Sequence, residues 1–161
     1  MADDFDDIGV LRRREIEARI VAPLLDALGR EFGHARVREI ARDVIAGIAR
    51  EQGRALAERL DDDTLPAFGA ALENWRKGDA LELGVLAQDG ERLEFDVTRC
   101  RYAEMYRSLG IGELGAILSC NRDAALIEGF NPALDLKRTQ TIMEGASCCD
   151  FRYAKRLSDP E

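Results

Sequence analysis

Four cysteines, at positions 100, 120, 148 and 149, are the residues best suited to nucleophilic, redox or metal chemistry in this chain. A cysteine attacks as the thiolate, which requires a cationic neighbour, a helix N-terminus or a base. Arg138 is a candidate for that charge. Asp123 is a candidate general acid or base, provided that burial raises its pKa. Each thiol also has a plain structural reading, because a single cysteine usually behaves as a small buried hydrophobe.

Cys148 and Cys149 stand side by side in "MEGASCCDFRY". Side chains alternate faces along a strand, which separates them. Cys149 goes with Phe151 and Tyr153, and Cys148 with Asp150 and Arg152. A disulfide between neighbours would be strained, so no redox couple is expected. The same alternation puts Cys100 on the face of Glu94, Asp96 and Thr98, unless a bend at the strand end redirects it. Cys120 opens "CNRDAALIEGFNP", read as a turn with unusual polar density at Asn121, Arg122 and Asp123.

In "LDLKRTQTI" the alternation sets Arg138 on the apolar face with Leu134, Leu136, Gln140 and Ile142. A buried guanidinium needs an anionic partner, and its planar fork suits a carboxylate. Two readings stand. One is an anchor for a substrate carboxylate; the other is structural, a pair with Asp123, Glu144 or Asp150, or an arginine at the sheet rim.

Structural zinc usually takes ligands paired two to four residues apart, and no C-x-x-C occurs here. No metal site and no cofactor are therefore expected. The single histidine, His34, reads as an exposed turn residue. No G-x-G-x-x-G or Walker loop supports a nucleotide site.

These residues need elements to position them. Leu11, Ile16, Ile20, Leu24 and Leu28 recur near helical spacing from Val10 onward. Glycines in "GREFGHAR" end that helix. A second, over about 35–60, carries a stripe of Val37, Ile40, Ala41, Val44, Ile45 and Ile48. "DDDTLP" starts a third, with Asp63 or Thr64 as cap and Pro66 in the first turn. It buries Phe68, Ala71, Leu72 and Trp75 and stops at Gly78. The period then changes to two. "LELGVLA" and "LEFDV" flank an Asp-Gly turn, a hairpin signal. Short helices follow in "RCRYAEMYRSLG" and "IGELGAILSC". A second hairpin pairs 134–142 with 148–153 through "MEGAS". The fold class is α+β: a helical N-terminal half packed on an antiparallel sheet of about four strands in two hairpins, with short connecting helices. One domain spans 1–161. Its parts are an acidic disordered tail over 1–9, a helical part over 10–78 and a sheet-containing part with the site over 80–154.

A chain of 161 residues can bury roughly 70% of its unfolded surface and needs no disulfide staples. Net charge is −8, which argues against a nucleic-acid partner, since such binding needs a basic footprint. No stretch approaches the roughly 18 apolar residues of a membrane span, and no signal-peptide pattern precedes Val10. A cytoplasmic location is expected. The oligomeric state is not written in the sequence; a homodimer is the commonest symmetric choice.

The segment "SCNRDAALIEGFNPALDLKRTQTIMEGASCCDFRY" resembles the L-2-amino-thiazoline-4-carboxylic acid hydrolase family. The likeness is carried by Cys100 upstream of this segment, after the second strand, and within it by Cys120 with Asp123, Phe130-Asn131-Pro132, Arg138-Thr139, and Gly145 before Cys149-Asp150-Phe151. The helical stretch upstream is similar too. The resemblance implies a hydrolase that opens a cyclic amidine or thiazoline carboxylate to an N-carbamoyl amino acid. Its substrate would be a small carboxylate. The expected catalytic residues are Cys149, Cys120, Asp123 and Cys100, with Arg138, Asn131, Phe151 and Tyr153 binding substrate. The closing G-x-x-x-C-D-F-x-Y also resembles small-molecule-binding domains of the vinyl-reductase type. That alternative implies a non-enzymatic sensor domain for a small molecule or metal.

Overall fold

The computed structural model describes residues 8–156. The expected acidic tail over 1–9 lies outside them except for Ile8 and Gly9. Two long helices come first, α1 (Val10–Phe32) and α2 (His34–Leu60), parted at Gly33. Gly33 has φ 91°, a conformation that a side chain would strain. Thr64 caps α3 (Leu65–Ala71) by accepting the Ala67 N–H at 3.4 Å, with Pro66 inside the first turn. After α4 (Glu73–Arg76), the strands β1 (Leu81–Gln88) and β2 (Arg92–Cys100) form the first hairpin. Then come α5 (Arg101–Ser108), α6 (Gly112–Gly115), a π-helical turn (Ala116–Cys120) and α7 (Arg122–Phe130). β3 (Leu134–Lys137), a 3-10 turn (Ile142–Glu144) and β4 (Cys149–Lys155) complete the chain. The four strands are antiparallel in the order β1-β2-β4-β3.

One face of the sheet carries Leu93, Phe95, Val97, Cys149 and Tyr153, all buried. Helical residues Leu56, Leu65, Phe68, Leu126, Ile127 and Phe130 cover it and form one core with it. Across β2 and β4, Phe95 stands opposite Phe151 and Val97 opposite Cys149. The α+β expectation is therefore met, helices leading and strands following. No helix among the described residues is long and apolar enough to cross a membrane.

Three expectations need correction. The segment after Cys120 is a helix, α7, where a turn was expected. Its "RDAALIEGF" packs so tightly on α2 that a Cβ added at Gly129 would fall 2.0 Å from the Arg50 carbonyl oxygen. A Cβ at Gly53 would fall 2.1 Å from the Leu126 carbonyl oxygen. Second, β3 ends at Lys137, so Arg138 is not a strand residue. The Asp150 carboxylate takes the N–H groups of Thr139 and Gln140, each at 3.0 Å, in place of a sheet ladder. Third, α1 turns Val10, Arg14, Ala18 and Ala22 inward, while Ile16, Ile20 and Leu24 are exposed. Two residues of offset rotate the buried stripe by about 200° around a helix. Small residues let α1 lie close to its neighbours, which the larger ones would prevent. In α2, Val37 and Ala41 are buried as expected, but Ile40, Val44 and Ile48 face out. β1 is an edge strand with irregular register, and this leaves Val85 exposed as well.

Candidate functional site

A cavity of about 90 Å³ lies between the inner sheet face and the helices. At roughly 10–15 Å³ per water-sized occupant, it admits several waters or a small ring. Most of its wall is apolar, including Leu81, Leu83, Phe95, Val97, Phe151 and Tyr153. Phe95 and Phe151 stack at 4.9 Å between ring centroids.

Five separate stretches of chain deliver its reactive side chains. Cys100 ends β2, Cys120 ends the π turn, Asp123 sits in the first turn of α7, Arg138 follows β3, and Cys149 opens β4. Trp75 from α4 lines the same space. Cys100 arrives there because of a bulge. Glu82 pairs with Arg99 but Leu83 pairs with Val97, so Thr98 is an extra residue on β2. One extra residue flips every later side chain to the other face. Cys100 thus joins Phe95 and Val97 instead of Glu94 and Asp96. The π turn is also a one-residue irregularity, of a kind common at functional sites.

Arg138 donates through Nη1 to Asp123 Oδ2 and through Nη2 to the Cys120 carbonyl at 3.1 Å. Its guanidinium carbon lies 5.0 Å from the centre of the Phe151 ring, a cation–π contact. Of the partners expected for Arg138, the fold selects Asp123. Burial raises the Asp123 carboxyl above its ordinary range, and Arg138 opposes this without cancelling it. Asp123 in turn holds Arg138 protonated against the effect of its own burial.

The three cavity thiols are held neutral. Burial raises Cys100 to about 11, with Ala103 N–H opposing. It raises Cys120 further, assisted by the Asp123 charge. Cys149 is raised by burial as well, and its sulfur accepts the Ile142 N–H at 3.1 Å. Cys148 lies outside the cavity, where Gln140 Nε2 donates to it at 3.0 Å. The adjacent pair is thus divided, as strand alternation requires. His34 is exposed at the start of α2.

Asn131 is not brought to the cavity. Its Nδ2 donates to the Asp63 carbonyl at 3.0 Å and its Oδ1 accepts the Ala133 N–H at 2.9 Å, fastening a loop. Phe151 and Tyr153 are brought there. Arg14, Arg122 and Gln52 also line the wall, and sequence reading passed over them as site residues. Arg122 was visible only as part of a polar turn. Arg14 gave no signal, since the apolar stripe of α1 pointed elsewhere. Among the described residues, no group of three or more His, Cys, Asp or Glu side chains is placed to hold a metal ion.

Residues 13–153 match the family described as L-2-amino-thiazoline-4-carboxylic acid hydrolase. Among solved structures, the chain is similar to the crystal structure of a trafficking protein particle complex subunit 3 from Naegleria fowleri covalently bound to palmitic acid. The TM-score is 0.53 at 8% sequence identity, over 92% of this chain and 98% of that one. At such identity the likeness is one of fold. No curated protein sequence matches the chain.

Proposed function

Because the chain belongs to the L-2-amino-thiazoline-4-carboxylic acid hydrolase family, we propose that it hydrolyses a small cyclic amidine bearing a carboxylate, with Asp123 as general acid and base. The observation that carries this reading is the convergence of Asp123, Arg138 and three thiols on one small, mostly apolar cavity. A carboxyl raised by burial suits proton transfer nearer neutral pH.

In this reading the ring lies against Phe95, Phe151 and Tyr153. Its reactive carbon bears the ring nitrogen, the ring sulfur and the exocyclic amine. Asp123 takes one proton from a water molecule as the water oxygen adds to that carbon. The carbon–sulfur bond then breaks, and Asp123 returns the proton to the departing thiolate. The remaining hydroxyl proton passes to the ring nitrogen, leaving a carbonyl. The product is an N-carbamoyl amino acid with a free thiol. Water is favoured as nucleophile over Cys120 or Cys149 because burial keeps both thiols protonated. Arg138 positions Asp123 through their ion pair.

The test is incubation of the purified chain with L-2-amino-thiazoline-4-carboxylate, following thiol release and the N-carbamoyl product by mass spectrometry. Turnover abolished in Asp123→Asn supports the reading. No product from the intact chain sinks it.

A second reading is a binding domain, favoured by the apolar wall with its three cysteines and by the palmitic acid in the similar structure. Here the cavity holds an acyl chain without turnover. Intact-mass analysis of the native protein, before and after hydroxylamine, separates the two. A hydroxylamine-sensitive acyl adduct would favour the second.

A further inference from the structure

Within the cavity read above as a small-molecule site, we infer that Arg14 and Arg122 form a distinct anion subsite that takes the carboxylate of the bound acid. Both side chains line the cavity, and both residues are more than nine-tenths buried, at 7% and 8% exposure. They share one carboxylate. Arg14 Nη1 donates to Glu17 at 2.8 Å, and Arg122 Nη2 reaches the same Glu17 oxygen at 3.4 Å. That side chain is itself 46% exposed, so its charge is well screened. Arg122 spends its other donors on neutral oxygens: the Leu118 carbonyl at 2.8 Å and Gln52 Oε1 at 3.5 Å.

Two buried guanidiniums facing one half-solvated carboxylate leave a surplus of positive charge in a wall that is mostly apolar. Such a surplus is costly unless an anion meets it. The neighbouring Asp123 is already engaged by Arg138. Burial, with repulsion from Arg14, lowers the pKa of Arg122 to about 10. The chain as a whole carries net charge −8, so this surplus is local to the site and not a consequence of overall composition. The fork of an arginine matches a carboxylate in two parallel hydrogen bonds. The division of labour follows. Arg138 holds the proton-transfer group, and Arg14 with Arg122 holds the substrate's charge.

Trp75, the chain's one tryptophan, lines the cavity and reports occupancy by fluorescence. The full chain is titrated with two matched pairs: L-2-amino-thiazoline-4-carboxylate against its carboxamide, and octanoate against octanamide. The expected result is at least about tenfold tighter binding of the carboxylate in one pair or both. Arg122→Gln and Arg14→Gln should each remove that preference while amide affinity stays unchanged. Arg122→Lys should restore part of it. Glu17→Gln should strengthen carboxylate binding by freeing both guanidiniums. The inference is overturned if neither pair discriminates, or if the preference survives both arginine variants. Circular dichroism identifies any variant that fails to fold, and Arg14→Gln and Glu17→Gln then decide. Carboxylate preference without any thiazoline turnover would leave the subsite standing and remove the hydrolase reading.

Discussion

Asp123 and Arg138 form an ion pair that joins the helical layer to the sheet layer across 15 residues of sequence. One partner sits in the first turn of α7, the other just beyond β3. The two elements are consecutive, and the short loop that Asn131 fastens between them turns the chain back so that the pair can meet. The pair exists only in the folded chain, and the most direct predictions start from it.

Asp123→Asn should lower kcat/KM by about 10²–10⁴, the usual contribution of a positioned acid or base. The base form is the ionised one, so activity should rise with pH through the Asp123 pKa. Burial raises that pKa, which places the acid limb above the roughly 3.9 of an ordinary aspartate. A pH–rate profile with no limb above that value would contradict the assignment, as would an Asn variant of full activity.

The raised thiols predict sluggish alkylation. At pH 7.5 iodoacetamide should modify Cys148 first, while Cys100, Cys120 and Cys149 react mainly after denaturation. Peptide mass spectrometry reads the order directly. Each of Cys100→Ser, Cys120→Ser and Cys149→Ser should keep turnover within about tenfold. A loss of roughly a thousandfold or more in one variant would identify a covalent nucleophile instead.

The crossing of α2 and α7 at Gly53 and Gly129 has no room for a methyl group. Gly129→Ala places a Cβ against the Arg50 backbone, which cannot move aside as a side chain would. Urea denaturation should show a loss of about 3 kcal/mol or more. Gly47→Ala, in the same helix α2 but with no atom within 4 Å, is the control. It should gain about 0.5–1 kcal/mol from helix propensity. Equal behaviour of the two variants would refute the close crossing.

Asp150 fastens the segment that carries Arg138. It accepts from the Thr139 N–H, the Thr139 hydroxyl at 2.6 Å and the Gln140 N–H. Burial works against its charge, but these hydrogen bonds outweigh it and hold the carboxyl below 3.8. A depressed folded pKa adds stability above the unfolded value, lost as pH falls through the folded one. Asp150→Ala should therefore cost about 1 kcal/mol at pH 7, a modest figure because the bonds are exposed to solvent. The difference from wild type should shrink as pH falls below the roughly 3.9 of an unfolded aspartate. A pH-independent difference in thermal unfolding would argue against the charged role.

Local sequence was informative wherever one residue type forces one geometry. Thr64 and Pro66 start α3, and alternation assigns Leu93, Phe95, Val97, Cys149 and Tyr153 to one face. It failed at α7, where Asn121, Arg122 and Asp123 read as a turn. The helix holds there because "AALIEGF" buries against α2 and the sheet. It also failed for the inward face of α1. Periodicity names the faces that a helix has, but neighbours decide which face is covered. There Ala18 and Ala22 permit a closer approach than Ile16 or Ile20.

The candidate site divides in the same way. Sequence alone determined its reactive residue types, the separation of Cys148 from Cys149, and the family. The tertiary structure decided which of these meet. A bulge at Thr98 turned Cys100 inward, the end of β3 released Arg138 toward Asp123, and a loop took Asn131 away. It also brought together Arg14 of α1 and Arg122 of α7 at a shared contact with Glu17, which lies 105 residues from Arg122 in sequence. The physical reason is range. Propensity, capping and alternation act within a few residues, whereas a buried charge is tolerated only where distant elements together supply its partners.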